Sequence, residues 1–296
     1  MEQNNWIKPH FFNSDYTMIV LPDTQNIIER TPELYFEMMG WIKNNKEKFN
    51  IKAVLHMGDI VNRNTSEQWI IAKEGFDILR KQKIPFMPMI GNHDDRLNFN
   101  KYFDYQTYGL NNYYFGGSFD NTLSNTYWFI EEVNRKYLIL TLEFGPSIDV
   151  INWAKDVIIK NKDKNVIFTT HAYMYRNNRL LLKDDMYSIT SYPGYENYLE
   201  GNEIWDMFSK YENVVLGMSG HISCLDVSRC IYNNKYSLLF DNQDNDKKEQ
   251  LGMIGILSFK NNENIVGVNW YSIKKDMLYK EDNQFNIMVN HIENGE

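Results

Sequence analysis

Short apolar runs that stop at a polar residue alternate along this chain with longer stretches in which apolar positions recur at helical spacing, the pattern of strands and helices in turn. The first run, TMIVLPD at 17–23, is followed by Thr31-Pro32-Glu33, a cap residue, a proline suited to the first helical position and an early acid. These open a helix through YFEMMGWIKNNKEKF. A second run, IKAVLHMGD at 51–59, precedes a helix that starts near Ser66-Glu67 and continues through WIIAKEGFDILRKQ, and the third run is IPFMPMIGNHD at 84–94. From 95 to about 125 Asn, Asp, Tyr and Gly accumulate without period. That predicts a long loop or an inserted lobe, uncommon unless it serves a function.

TYWFIEEV and RKYLILTLEFG restore strand character, a helix follows at about 149–161, and NVIFTTHAYMY at 165–175 is the next strand and loop. The helix NEIWDMFSKY leads into NVVLGMSGHIS at 213–223. Beyond 224 the pattern changes to antiparallel pairs, SRCIYNNKYSLLFDNQ around Asn-Asn-Lys and LGMIGILSFKNNENIVGVNWYS around NNEN. The polar run DNQDNDKKEQ at 241–250 reads as a surface loop. No linker or internal repeat divides the chain, which predicts one α/β domain over 1–296 with a loop-rich insertion at about 95–125.

Composition adds exclusions. In 296 residues, 43% hydrophobic and 24% charged content is ordinary for a globular protein, and a formal net charge of −8 without a basic stripe disfavours nucleic acid as a partner. No apolar stretch approaches a membrane span, and the N-terminal MEQNNWIKPHFFNSDYT lacks the apolar region of a signal peptide, so the expected location is cytoplasmic. The 2 cysteines, Cys224 and Cys230, lack metal or disulfide spacing and read as reduced core or strand residues.

Chemistry collects at strand ends. PDTQ at 22–25, GDIVN at 58–62, GNHDD at 91–95, TTHA at 169–172 and SGHIS at 219–223 each follow an apolar run, and ligands of open α/β sheets bind outside the carboxyl ends of strands. Together they deliver Asp23, Asp59, Gln25, Asn92, His93, His171 and His221. Such mixed oxygen and nitrogen donors suit Mn, Fe or Zn, and with one carboxylate bridging they can hold two ions roughly 3.5–4 Å apart. Each tetrapeptide alone could be an ordinary turn. His56, inside its strand, reads as packing or as a hydrogen bond behind the site, and His10 and His291 are given no role.

These motifs, in this order, resemble the calcineurin-like metallophosphoesterase family over residues 17 to about 223. The downstream DNQ resembles the branch whose first motif reads DTQ. The resemblance implies a four-layer α/β/β/α sandwich of two mixed sheets flanked by helices, and hydrolysis of a phosphodiester or phosphomonoester by direct attack of a metal-activated water. It also implies that Asp59 bridges two divalent ions, with Asp23 and Gln25 on the first and Asn92, His171 and His221 on the second. His93 would assist the leaving group and Asp94 would fix the loop. Manganese is the expected metal, with Fe, Zn or Mg as the other choices. Gln25 and Ser223 stand where many members have histidine, which predicts a weaker, harder first site. The protein phosphatase branch, with GD-x-VDRG and GNHE, fits less well, since GDIVNRN and GNHDD place Asn62 and Asn64 at its acid and glycine.

The implied partner is a small phosphate ester. Asn92, Arg176 and Arg179 are candidate phosphate-binding residues, and the aromatic stretch FNKYFDYQTYGLNNYYFGGSF at 99–119 is a candidate cleft wall. The competing reading is a non-catalytic interaction scaffold of the same fold with a weakened metal site.

Overall fold

A computed structural model describes residues 5–8 and 13–292. Two mixed sheets pack against each other, the first with its parallel strands at one end and the second with them at its centre. In the first, Tyr16–Leu21, Ile51–His56 and Phe86–Met87 run parallel. The C-terminal strands Met253–Phe259 and Ile265–Ser272 extend that sheet antiparallel from Tyr16–Leu21. In the second, Arg135–Leu142, Asn165–Thr170, Val214–Ser219 and Lys235–Leu239 are parallel neighbours. Ser228–Tyr232 and Thr126–Glu132 pair antiparallel at either side of this parallel block.

Side-chain alternation explains the layering. Along the central strand Arg135–Leu142, Ile139 joins the core between the sheets while Leu138 and Leu140 face the helices Ile148–Lys160 and Gly201–Phe208. The facing sheets are joined by the 2.7 Å hydrogen bond between the hydroxyls of Tyr16 and Tyr137 and by Phe240 against Trp270. The helices Pro32–Asn45 and Ser66–Lys81 cover the outer face of the first sheet through Tyr35, Met38, Trp69 and Phe76, all fully buried. The result is the four-layer arrangement.

Both predicted hairpins form, Tyr232 opposing Lys235 and Met253–Phe259 pairing Ile265–Ser272. Thr65 caps its helix through Gln68 N, whereas Thr31 occupies its cap position without a side-chain bond and Pro32 alone sets the first turn.

The segment after 95 is more ordered than its composition suggests. Asp95 caps a helix at Arg96–Tyr102, Asp104 caps a π turn at Tyr105–Leu110, and Phe115–Ser118 adds a strand to the second sheet. Its rings supply the reason: Phe99, Phe103 and Tyr108 are buried against Trp69, Phe76 and Phe86. These three rings are therefore core, and of the proposed wall only Phe119 lines the cavity beside Asn92. The run at 241–250 is likewise no plain surface loop, since Asp241, Asn242 and Asp246 are buried around a short helix at Gln243–Asp246. His10 lies outside the described residues.

Candidate metal centre

Because the strands that lead to the site run parallel within each sheet, their carboxyl ends emerge on one side. Tyr16–Leu21 leads to Asp23, Ile51–His56 to Asp59, Asn165–Thr170 to His171 and Val214–Ser219 to His221. Asn92 lies in a turn five residues beyond the short Phe86–Met87 strand. Asp59 at φ +49° and His221 at φ +71° hold the left-handed conformation that non-glycine residues avoid. Gly58, at φ +97°, permits the turn before Asp59, and a Cβ there would stand 2.3 Å from Nδ1 of His171.

Asp59 is the hub. Its Oδ1 accepts from His93 N at 2.8 Å and lies 3.4 Å from His171 Nε2, while its Oδ2 accepts from Gln25 Nε2 at 3.0 Å. Nδ1 of His171 is 2.6 Å from the carbonyl of Met57. A carbonyl only accepts, so that nitrogen carries the proton and Nε2 turns its lone pair toward Asn92 Oδ1 at 3.0 Å and Asp59. The same logic fixes His221, whose Nε2 donates to the carbonyl of Tyr187 at 2.8 Å and leaves Nδ1 as the free donor atom. Ligand atoms of Asp23, Asp59 and His171 all lie within 4.8 Å of one another.

The electrostatics call for cations. Asp23, Asp59 and Asp241 are each at most 1% exposed, and no lysine or arginine is bonded to them among the described residues. Burial, then Asp241 and Asp59, push the Asp23 carboxyl well above the carboxylate range. Burial also lifts Asp241 to about 7, against its bonds from Gln243. Burial would raise Asp59 as well, but the His171 imidazole beside it holds it down at about 2. His171 is correspondingly raised, since Asp59 outweighs the burial that opposes its charge. His221 is pushed down to about 3 by burial and by His171. Oδ1 of Asp23 and Oε1 of Gln25 are buried without a hydrogen-bond partner. Converging lone pairs, uncompensated buried carboxylates and orphaned oxygens fit divalent cations.

The supports are local. Asp94 accepts from Ile60 N and Val61 N at 3.0 Å and from Gly91 N at 2.9 Å, lashing one ligand loop to the next. His56 is buried behind the site, its Nδ1 accepting from Gly58 N at 3.0 Å and its Nε2 3.0 Å from Thr24 Oγ1. The His93 ring is exposed and faces a cavity of about 160 Å³ lined also by Asp59, Asn92, His221 and Ser223.

Arg176 and Arg179 are not brought there. Arg179 is held by both oxygens of Asp185 at 2.6 Å, and both guanidiniums lie over the Tyr175 ring, at 5.4 and 4.3 Å. Sequence reading also passed over Gln243. Its Nε2 donates to Asp241 Oδ2 at 2.9 Å and to the His221 carbonyl at 3.0 Å, which turns its own carbonyl oxygen to the Gln25 amide. The available signal was SLLFDNQ, one more strand ending in a carboxylate and amides.

The family model described as calcineurin-like phosphoesterase matches residues 16–225. A curated relative from Bacillus subtilis (strain 168), the uncharacterized protein YvnB, is 31% identical over 166 residues, 54% of this chain. The match covers only 13% of that relative's length. Among solved structures, a dimetal phosphatase from Danio rerio superposes with a TM-score of 0.56 at 9% identity, covering 94% of this chain and 100% of that one. GAP50 of Plasmodium, described as the anchor in the inner membrane complex, superposes with a TM-score of 0.54 at 13% identity, covering 95% of this chain and 90% of its own. At such identities these two show the fold alone.

Proposed function

The chain belongs to the calcineurin-like phosphoesterase family, and from that premise we propose that it hydrolyses a phosphodiester or phosphomonoester at a pair of divalent metal ions. The observation that carries this reading is Asp59, a buried carboxylate whose Oδ1 is turned to His171 and whose Oδ2 is turned to Gln25, with no lysine or arginine bonded to it among the described residues. Two oxygens turned to different groups of candidate ligands support a bridging role for Asp59.

Asp23, Gln25 and Asp59 would hold the first ion, and Asp59, Asn92, His171 and His221 the second. When bound, two such ions neutralise phosphoryl charge and acidify a water enough to make a nucleophile at neutral pH. The protein does the rest. The Met57 and Tyr187 carbonyls keep His171 and His221 in the tautomers that present a lone pair inward. Asn92, next to His93, would orient the phosphate. The exposed His93 imidazole, its backbone pinned to Asp59, would give a proton to the departing alkoxide. Asp94 ties the GDIV and GNHD loops together, which would hold the metal ligand Asp59 and the acid His93 in a fixed relation.

The scaffold reading draws on Gln25, whose amide nitrogen occupies a lone pair of Asp59, and on the absence of histidine at 223. One comparison separates the two. Metal-stripped protein is assayed on bis-p-nitrophenyl phosphate with and without Mn, beside Asp59→Asn, with metal content measured for each. Mn-dependent turnover that Asp59→Asn abolishes supports the esterase. Neither turnover nor retained metal, in a protein that remains folded, supports the scaffold.

A further inference from the structure

The two departures from the family pattern, Gln25 and Ser223, are both bonded to one segment, 241–244, which lies beyond the residues 16–225 matched by the family model. The Gln25 amide nitrogen donates to Oε1 of Gln243, and Ser223 Oγ accepts from Asp244 N at 3.1 Å. Neither residue is simply a histidine lost. Each has a partner in the same place, and that place is the strand end DNQ.

Donors and acceptors fix which way each amide turns. Gln243 has one end 3.0 Å from the His221 carbonyl and 2.9 Å from Oδ2 of Asp241. A carbonyl only accepts, so that end is the nitrogen and the oxygen lies at the other, against Gln25. The Gln25 amide must then face it with its own nitrogen, whose second hydrogen goes to Asp59 Oδ2 at 3.0 Å. Both hydrogens are used. What Gln25 has left is Oε1, buried and without a partner, and an amide oxygen suits a hard divalent ion.

Gln243 is itself held from several sides. Its backbone nitrogen donates to Asp241 Oδ1 at 2.8 Å, and its carbonyl accepts from Asn26 Nδ2 at 2.9 Å, with Asp241 and Asn26 both buried. The Gln25 backbone is fixed too, its nitrogen donating to the Asp59 carbonyl at 3.0 Å, so only the turn of its amide is left to decide. A reversed Gln25 amide would set oxygen against oxygen at both Gln243 and Asp59.

Resting on the two-ion reading of the site, we infer that Gln243 is the positioning residue of the first metal site: it fixes the Gln25 amide so that Oε1 is left for the ion. Gln243 thus does for Gln25 what the Met57 and Tyr187 carbonyls do for His171 and His221. The changes at 25 and 223 then belong to one arrangement, anchored by a segment outside the family motifs.

The test is Mn binding to metal-stripped protein, followed by calorimetry and by the EPR signal of free Mn, for the unaltered chain, Gln25→Ala, Gln243→Met and the double variant. Gln243→Met keeps the length of the side chain and removes its amide. It should raise the dissociation constant of the weaker site by about 10–100-fold and leave the tighter site unchanged. The double variant should bind no more weakly than Gln25→Ala, because Gln243 acts through Gln25. Additive losses, or an equal loss at both sites, would reduce Gln243 to a packing role and overturn the inference. A measurement without any variant guards against misfolding: in the unaltered, stripped protein both side-chain amide protons of Gln25 should exchange slowly by NMR, and fast exchange overturns the inference. No Mn uptake by the unaltered protein rejects the two-ion reading and this inference together, whereas two unequal sites indifferent to Gln243→Met reject this inference alone.

Discussion

A methyl group on Gly91 would stand 2.1 Å from Oδ1 of Asp59 and 2.2 Å from its backbone nitrogen. The glycine that opens the GNHD motif is therefore a steric requirement of the carboxylate that opens the previous loop. Gly91→Ala must displace rigid backbone as well as a side chain, and should cost about 1–3 kcal/mol in a denaturant melt. It should also weaken metal binding at both positions, since Asp59 would be moved. A variant with unchanged stability and full metal content would contradict the packing described.

Metal titration should resolve unequal sites. The first ion would be held by Asp23, Gln25 and Asp59 with no imidazole, the second by Asp59, Asn92, His171 and His221 with two. The Mn dissociation constants of the stripped protein should differ by about 10-fold or more, judged by the factors that changes around a metal site produce. Two equally tight ions would refute the asymmetry.

His93 would act on the leaving group while its side chain binds no metal. His93→Ala should lower kcat by about 10²–10⁴ for an alkyl ester. The loss should be smaller for a p-nitrophenyl ester, whose alcohol departs without protonation. Metal content should be unchanged, because the link from residue 93 to Asp59 is a backbone N–H. An equal loss on both esters would remove His93 from the role of proton donor.

Asp246 provides a pH signature away from the metal centre. It is fully buried, its Oδ1 accepting from Asn242 and Leu251 while Oδ2 has no partner, and burial pushes it up to about 7. The folded state thus binds this proton more tightly than the unfolded chain does. Its contribution is fully present below pH ~4 and is lost as pH rises through about 7. In Asp246→Asn that dependence should vanish. The stability of the variant minus that of the parent should rise by roughly 2–4 kcal/mol from pH 4 to pH 8, measured by denaturant titration at each pH. A difference independent of pH would show that the carboxylate is ionised throughout.

Much of the architecture was legible in one dimension because strand and helix periods are local. TMIVL, IKAVLH, NVIFTT and NVVLGMS each read as buried strands, and the polar residue that stops each run is the residue its strand presents at the site. The order of these ends also carried the family. What tertiary structure alone decided depends on partners far apart in the chain. The tautomer of His171 is set by a carbonyl 114 residues away and that of His221 by one 34 residues away. Gln243 reaches Gln25 across 218 residues. Phe99, Phe103 and Tyr108 were drawn into the core around Trp69 and Phe76, and the cavity beside Asn92 was lined instead by Phe119, Phe144 and the tyrosines at 192, 195 and 198. An apolar pattern says only that a face will be buried; which hydrogen-bond acceptor or ring meets it there is settled by packing between layers, and that packing is where the site acquires its chemistry.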